Sequence, residues 1–141
     1  MEGWWWTLPD FPQSLDPSHG DLKPARARRK RQQIESLAKL CLHMLLAMLK
    51  DRPSMLPPLK IVEFGAGTGH LGLFLAWLSR GMGKNSWIVT LSDRRGPSLL
   101  RAVERGNEAG ILPGILRIIE GDVEEAALGS FDLGTSLHSC G

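Results

Sequence analysis

The stretch LKIVEFGAGTGHLGLFL, residues 59–75, decides the fold of this chain. It opens with an apolar run that ends at Phe64, passes through Gly65, Gly67 and Gly69, and then repeats apolar residues at helical spacing. A strand, a glycine loop and a helix are therefore predicted in that order. Glycine permits positive φ and lets backbone N–H groups approach a ligand, while the helix directs its positive end to the same place. Such a corner is typical of a nucleotide-binding site.

Two glycine spacings overlap in this loop, and they favour different nucleotides. Gly67, Gly69 and Gly72 satisfy G-x-G-x-x-G, the dinucleotide pattern, which leaves an NAD-dependent oxidoreductase as an alternative. A second pattern, E-x-G-x-G-x-G, adds Glu63 and Gly65. A carboxylate at the end of the strand repels a pyrophosphate, but it suits the positively charged amino group of an amino-acid-bearing cofactor.

The second pattern resembles the first motif of class I S-adenosylmethionine-dependent methyltransferases. The resemblance implies an α/β protein with a Rossmann-like sheet and S-adenosyl-L-methionine as its cofactor. It also implies that the cofactor contacts Glu63, Gly65, Ala66, Gly67 and Gly69.

Asp93 is the next candidate for the site. Residues 87–91 are rich in strand-forming side chains, and this predicted second strand ends at Ser92 and Asp93. Because the second strand of a parallel sheet lies beside the first, a carboxylate at its end faces the glycine loop and accepts both hydroxyls of a ribose. The alternative is a helix cap or a partner for Arg94, and ribose binding is favoured.

The third predicted strand, residues 115–119, precedes the tetrapeptide EGDV at 120–123. The resemblance implies that Asp122 reaches the adenine amino group and that Val123 packs on the ring. The strand-end carboxylates Asp93 and Asp122 fall in the order that the sheet requires, which supports this interpretation.

A fourth apolar segment, residues 131–137, is followed by His138 and Cys140. These two residues are a candidate nucleophile pair or metal ligands, but two ligands without a CxxC elsewhere are poor evidence for zinc, and no metal is predicted. The resemblance implies that the substrate meets the methyl group here. His138 is then the candidate catalytic residue, as a general base.

Residues 1–24 are rich in proline and show neither a helical nor a strand period, so an extended arm with little structure of its own is predicted. It carries Trp4, Trp5 and Trp6 in a row. They are either an anchor for a partner or a cluster that packs back onto this domain. The second interpretation is favoured because exposed apolar patches are uncommon on soluble monomers.

Residues 25–50 predict one long helix whose apolar stripe faces the sheet. Its first turns are basic at five of six consecutive positions. This run is either a phosphate-contacting patch for RNA or a solvated helix face, and the sequence leaves both open. The basic positions are Arg26, Arg28, Arg29, Lys30 and Arg31.

The bulk properties set the limits. A chain of 141 residues is at most one domain, and a net charge of +2 does not by itself indicate a nucleic-acid binder. No stretch approaches the roughly eighteen apolar residues of a membrane span, and the two cysteines lie far apart. We expect reduced thiols, no membrane contact and a cytoplasmic location, with a nuclear one left open. The oligomeric state is not predicted.

A narrower resemblance is carried by the first half of the long helix and by the end of the chain. The segments ARARRKRQQIESL, 25–37, and SLHSCG, 136–141, resemble the methyltransferase domain of the glutathione S-transferase C-terminal domain-containing family, whose relatives include RNA-modifying enzymes. This resemblance implies RNA as the methyl acceptor.

The same resemblance predicts a partial domain at 25–141, with its cofactor-binding half at 59–141. Class I methyltransferases have seven strands in the order 3-2-1-4-5-7-6, so we expect a sheet truncated after the fourth strand, with the outer edge of that strand open. A non-catalytic module that binds S-adenosylmethionine is therefore the alternative to an enzyme.

Overall fold

A computed structural model describes residues 4–82, 86–111, 114–121 and 130–137. Its four strands form one sheet, all parallel, in the order β3-β2-β1-β4, so the predicted order is confirmed. Apolar runs of this kind suit a parallel sheet because helices cover it. The strands are β1, Leu59–Phe64; β2, Trp87–Asp93; β3, Leu116–Glu120; and β4, Leu133–Thr135.

Three helices connect or precede the strands: α1, Pro24–Leu49; α2, His70–Ser79; and α3, Gly96–Glu108. Helix α1 confirms the long helix predicted at 25–50, and a proline in the first turn starts both α1 and α3. Helix α2 contacts both α1 and α3, and it packs on β1 and β2. Among the described residues, no helix is both long and apolar enough to cross a bilayer.

Helix α2 is buried on nearly all sides. Leu71, Leu73, Phe74 and Leu75 are each 0% exposed, and Trp77 is 6% exposed. A helix that is apolar all round needs cover on every side, and the sheet supplies only one. The rest of the cover comes from the neighbouring helices and from the N-terminal segment.

The N-terminal segment is not an extended arm, which corrects the prediction for residues 1–24. Within the part that the structure describes, it forms three short 3-10 helices that contribute to the core. Trp5, Trp6 and Phe11 place their ring centroids 5.1, 5.8 and 5.9 Å from that of Phe74. The favoured interpretation of the tryptophans, that they pack back onto the domain, is confirmed for Trp5 and Trp6. The 3-10 helices are Trp4–Thr7, Gln13–Leu15 and Pro17–His19.

A buried ion pair fixes this segment to α1. Asp16, which is 5% exposed, accepts hydrogen bonds from Arg31 and from the Ser18 N–H. Burial alone would raise the pKa of Asp16, but the bonds from Arg31 and Ser18 outweigh it and lower the pKa. The Arg31 guanidinium also lies 5.1 Å from the Trp6 ring centroid, so this charge is engaged in holding the fold.

Candidate functional site

The glycine loop has the backbone geometry that its sequence predicts. Gly65, Gly67 and Gly69 have φ of 61°, 57° and 74°, the left-handed region in which glycine is favoured. Gly69 is also the N-cap residue directly before α2. The loop therefore turns sharply between β1 and α2 through positive-φ glycines at three alternate positions.

Several N–H groups of the loop are bonded within the protein. The Ala66 N–H donates to the Ser92 carbonyl at 2.9 Å, and the Gly69 N–H donates to the Ala66 carbonyl at 2.8 Å. The Gly67 N–H donates to Asp93 Oδ2 at 2.6 Å. These three amides therefore already donate within the protein, and the predicted contacts of residues 66, 67 and 69 with a cofactor stay predictions. At its three glycine positions the loop has no Cβ atom to keep a ligand away from the backbone.

The glycines differ in what surrounds them. A Cβ on Gly69 would lie 2.8 Å from Leu91 Cδ1 and 3.2 Å from the Ala102 Cβ, so packing requires glycine there. A Cβ on Gly67 would have no neighbour within 4 Å and would point into open space beside the loop. Gly67 therefore borders the space in which a ligand would lie, whereas Gly69 seats α2 on the sheet.

Gly72 is explained by packing alone. A Cβ there would lie 2.3 Å from Leu91 Cδ2 and 2.7 Å from Glu63 Oε1. This close approach of helix and strand needs glycine whatever the ligand is. The match of Gly72 to the dinucleotide spacing therefore adds no evidence for NAD.

Glu63 lies directly beneath the first turn of α2. It is 1% exposed, and its Oε1 accepts a hydrogen bond from the Gly72 N–H at 2.9 Å. Burial raises the pKa of Glu63 to about 7, although the bond from Gly72 and the charge of Lys30 oppose the rise. A carboxyl with this pKa changes charge near neutral pH. Its predicted contact with a cofactor amino group stays a prediction.

Asp93 lies at the end of β2 and faces the glycine loop, as predicted. Its Oδ2 accepts from the Gly67 N–H, and its Oδ1 accepts from the Arg95 N–H at 2.8 Å. The carboxylate thus fixes both the loop and the turn into α3. A carboxylate has about four acceptor positions, so these two bonds leave one on each oxygen.

Three predicted site residues, Asp122, Val123 and His138, lie outside the described residues, as does Cys140. The segment that leads to Asp122 starts in the expected place. Gly121 donates its N–H to the Asp93 carbonyl at 2.9 Å, at the end of β2. The adenine and general-base roles of these residues stay predictions.

The basic run of α1 does not form one face. Arg31 is engaged by Asp16, whereas Arg26, Arg28 and Arg29 are exposed. Lys30 is half-buried: burial lowers its pKa, Glu63 opposes this, and Arg105 and Arg26 lower it further. Helical phase therefore separates neighbours in the sequence into different surroundings.

Arg105 is a site-adjacent residue that the sequence analysis missed. Its Nη1 donates to the Thr68 carbonyl of the glycine loop at 2.6 Å, and its Nε donates to the Ser14 carbonyl at 2.7 Å. In the sequence it is one of several charged residues on an amphipathic helix. No local pattern marks a contact between positions that are 91 residues apart.

Alanine at the two glycines should separate strain from packing. We expect Gly67→Ala to lower the free energy of unfolding by about 1 kcal/mol, because only the positive φ opposes the new methyl group. Gly69→Ala adds an overlap with Leu91, and we expect a loss of roughly 3 kcal/mol or more. Urea unfolding followed by circular dichroism measures both. Equal losses would contradict the different surroundings described for the two positions.

The pKa of Glu63 predicts an unusual pH dependence of stability. Between the ordinary value of 4.5 and about 7, the folded state retains a proton that the unfolded chain releases. The free energy of unfolding therefore falls as pH rises through this window, by roughly 3 kcal/mol from this group. Glu63→Gln stays neutral and keeps an oxygen that accepts from Gly72. We expect the variant to equal the natural protein near pH 4.5 and to exceed it at pH 8. Parallel pH profiles of urea unfolding would refute this.

Comparisons with known proteins identify relatives along nearly the whole chain. No protein-family model matches it. It is 34% identical over 138 residues to the glutathione S-transferase C-terminal domain-containing protein of Mus musculus, and 33% identical over 138 residues to that of Homo sapiens. The Drosophila melanogaster homolog is 33% identical over 132 residues. These matches cover 96%, 96% and 92% of this chain but only 19%, 19% and 20% of the relatives, so the chain spans about a fifth of their length.

Solved structures give the same fold. Magnesium protoporphyrin IX methyltransferase from Synechocystis, with bound SAM, superposes with a TM-score of 0.58 at 17% identity, over 94% of this chain and 57% of that one. The same enzyme with bound SAH gives 0.56 at 19% identity, over 83% and 47%. At such identities the likeness shows the fold alone. The chain is thus a relative of the glutathione S-transferase C-terminal domain-containing proteins, matches one segment of them, and has the Rossmann-like fold of class I S-adenosylmethionine-dependent methyltransferases.

Proposed function

We propose that this chain binds S-adenosyl-L-methionine in the crevice beside the glycine loop and serves a methyl transfer. The observation that carries the proposal is the Asp93 carboxylate, which faces the loop and holds the Gly67 N–H. The superposable methyltransferase from Synechocystis has been crystallised with SAM and with SAH, which supports the same cofactor class here.

The described residues fit this cofactor. The remaining acceptor position on each Asp93 oxygen suits one of the two ribose hydroxyls. The open space at Gly67 admits a ligand against bare backbone. Glu63, when ionised, complements the amino group of the methionine moiety. By the family resemblance, Asp122 would bind the adenine amino group and Val123 would pack on the ring.

The chain's part in the chemistry is placement. Bound S-adenosylmethionine supplies a methyl group that its sulfonium already activates. Asp93 and the loop hold the ribose end still, and such orientation lowers a barrier by several kcal/mol. His138 would accept the proton that a nitrogen or hydroxyl acceptor loses as it is methylated.

RNA is the acceptor class that we propose, in a protein of the cytoplasm or nucleus. Exposed arginines at positions 26, 28 and 29 support it, because guanidinium groups bind phosphodiesters well. Arg31 does not contribute to this RNA-binding surface because Asp16 engages it, and neither does Lys30, which is partly buried.

A non-catalytic module that binds the same cofactor is the second candidate. The curated relatives are named for a different domain, and their names state no methyl transfer. The two candidates share the cofactor crevice and differ in turnover, so binding and activity have to be measured separately.

Binding of S-adenosylhomocysteine tests the crevice. We expect saturable binding by isothermal titration calorimetry, weakened about ten- to hundredfold in Asp93→Asn because charge-assisted hydrogen bonds are lost. Gly67→Ala should abolish binding while the protein remains folded. Asp51→Asn, an exposed position away from the loop, is the matched control and should bind like the natural protein. Saturable binding of NAD without binding of S-adenosylhomocysteine would favour the NAD-dependent oxidoreductase and contradict our proposal.

Methyl transfer tests the catalytic part. With radiolabelled S-adenosylmethionine and RNA, we expect the whole natural protein to label the RNA and His138→Ala to lower kcat by about 100-fold or more. His43→Ala, an exposed histidine on α1, is the control. An unchanged kcat removes His138 from the mechanism, and cofactor binding without any turnover favours the non-catalytic module.

A further inference from the structure

A second cavity lies apart from the cofactor crevice. Its volume is about 830 Å³, and it opens between the N-terminal segment, α1 and α3. Thr68 and His70 form part of its wall, whereas Gly65, Gly67 and Asp93 are not among the residues that line it. The cavity therefore reaches the glycine loop at Thr68 and does not include the residues of the proposed cofactor site.

Cationic side chains from two helices meet across this cavity. Positions 26, 29 and 30 of α1 lie on the cavity side because residues three and four apart share a helix face. The other two basic positions, 28 and 31, line a separate groove of about 320 Å³. From the opposite wall α3 contributes two arginines. The cationic residues of the cavity are Arg26, Arg29, Lys30, Arg101 and Arg105.

The acidic residues that line the cavity do not neutralise its inner wall. Asp16 is engaged by Arg31, and the Asp21 side chain is 98% exposed, 3.6 Å from Arg101. Glu104 and Glu108 are exposed on the rim. Negative charge therefore lies at the mouth of the cavity.

The deeper positions are positive. Arg105 donates to two neutral carbonyls, those of Ser14 and Thr68, and forms no ion pair within the described ranges. Burial, with a smaller contribution from Arg101, lowers the pKa of Arg105 to about 10 against the opposing effect of Glu108. Burial also lowers the pKa of Lys30; Glu63 opposes this, and Arg105 and Arg26 lower the pKa further. These cations raise one another's free energy, and a bound anion would relieve that repulsion.

We propose that this cavity binds phosphate groups, either the chain of phosphates of a nucleotide or successive phosphodiesters of a nucleic-acid strand. Arginine forks match phosphate oxygens in pairs, and guanidinium groups on facing walls suit a ligand with several charges. A cavity of about 830 Å³ lies within the range of small-molecule sites. A nucleic-acid ligand here would deepen the proposed RNA acceptor role, which rests on the same Arg26 and Arg29, whereas phosphate binding itself does not depend on a cofactor beside the glycine loop.

Two probes distinguish the sources of phosphate. Inorganic triphosphate is titrated by calorimetry, and a fluorescently labelled single-stranded RNA oligonucleotide is followed by anisotropy, both at near-physiological salt. We expect the double variant R26Q/R29Q to weaken binding about tenfold or more. The double variant K39Q/K50Q removes the same charge from two exposed lysines outside the cavity lining, one near the middle of α1 and one directly after it, and we expect less than a twofold change.

A gain-of-affinity variant guards against a folding artefact. Glu104→Gln removes a negative charge from the rim of the cavity. We therefore expect each probe that binds the natural protein to bind this variant more tightly, by about two- to fivefold. Binding of triphosphate alone assigns the cavity to nucleotides, and tighter binding of the oligonucleotide assigns it to a strand. Absence of binding by both probes, or equal losses in the two double variants, overturns the proposal. Unchanged titration of S-adenosylhomocysteine by R26Q/R29Q shows that the two sites are separate.

Discussion

The burial of α2 is the constraint on which the rest of the structure depends. This helix is apolar on nearly all sides, so the sheet must cover one side and the rings of Trp5, Trp6 and Phe11 another. Its approach to β2 is close enough that positions 69 and 72 admit no side chain. The shape of the glycine loop, and with it the crevice, follows from how α2 is seated. The corner at which we propose that the cofactor binds is therefore shaped by core packing.

The close seating of α2 also explains the state of Glu63. A carboxyl pressed against the first turn of a helix loses nearly all contact with water, and one N–H bond restores only part of what hydration gave it. Ionisation of Glu63 is therefore unfavourable in the protein without a ligand, and a cationic group beside the carboxyl would lower its pKa. The stability of the protein thus favours the neutral carboxyl, whereas a cationic ligand would favour the ionised form. Perturbed pKa values of this kind are common at functional sites.

Much of the sheet and of the crevice was predictable because the signals are local. The positive φ of three glycines and the direction of Asp93 follow from spacing and from the geometry of parallel strands. The strand order follows from the family resemblance. The N-terminal segment was mispredicted because its structure comes from the surface of α2, which no pattern within residues 1–24 encodes. Arg105 was missed for the same reason, since its partners at positions 14 and 68 are distant in sequence. The five basic residues at positions 26–31 do not form one surface patch, because their side chains point in different directions around α1.

Arg105 links two segments of backbone that are distant in the sequence, the N-terminal segment and the glycine loop. Through one guanidinium, Ser14 of the N-terminal segment is held to Thr68 of the glycine loop. Because Leu15 is fully buried in the same core, residues 5–15 belong to the same cooperative unit as the sheet. A domain boundary at residue 25 would divide the hydrophobic core. It would also separate the glycine loop from the Ser14 carbonyl to which Arg105 links it. Loss of the Arg105 guanidinium would therefore remove one direct link between the N-terminal segment and the glycine loop.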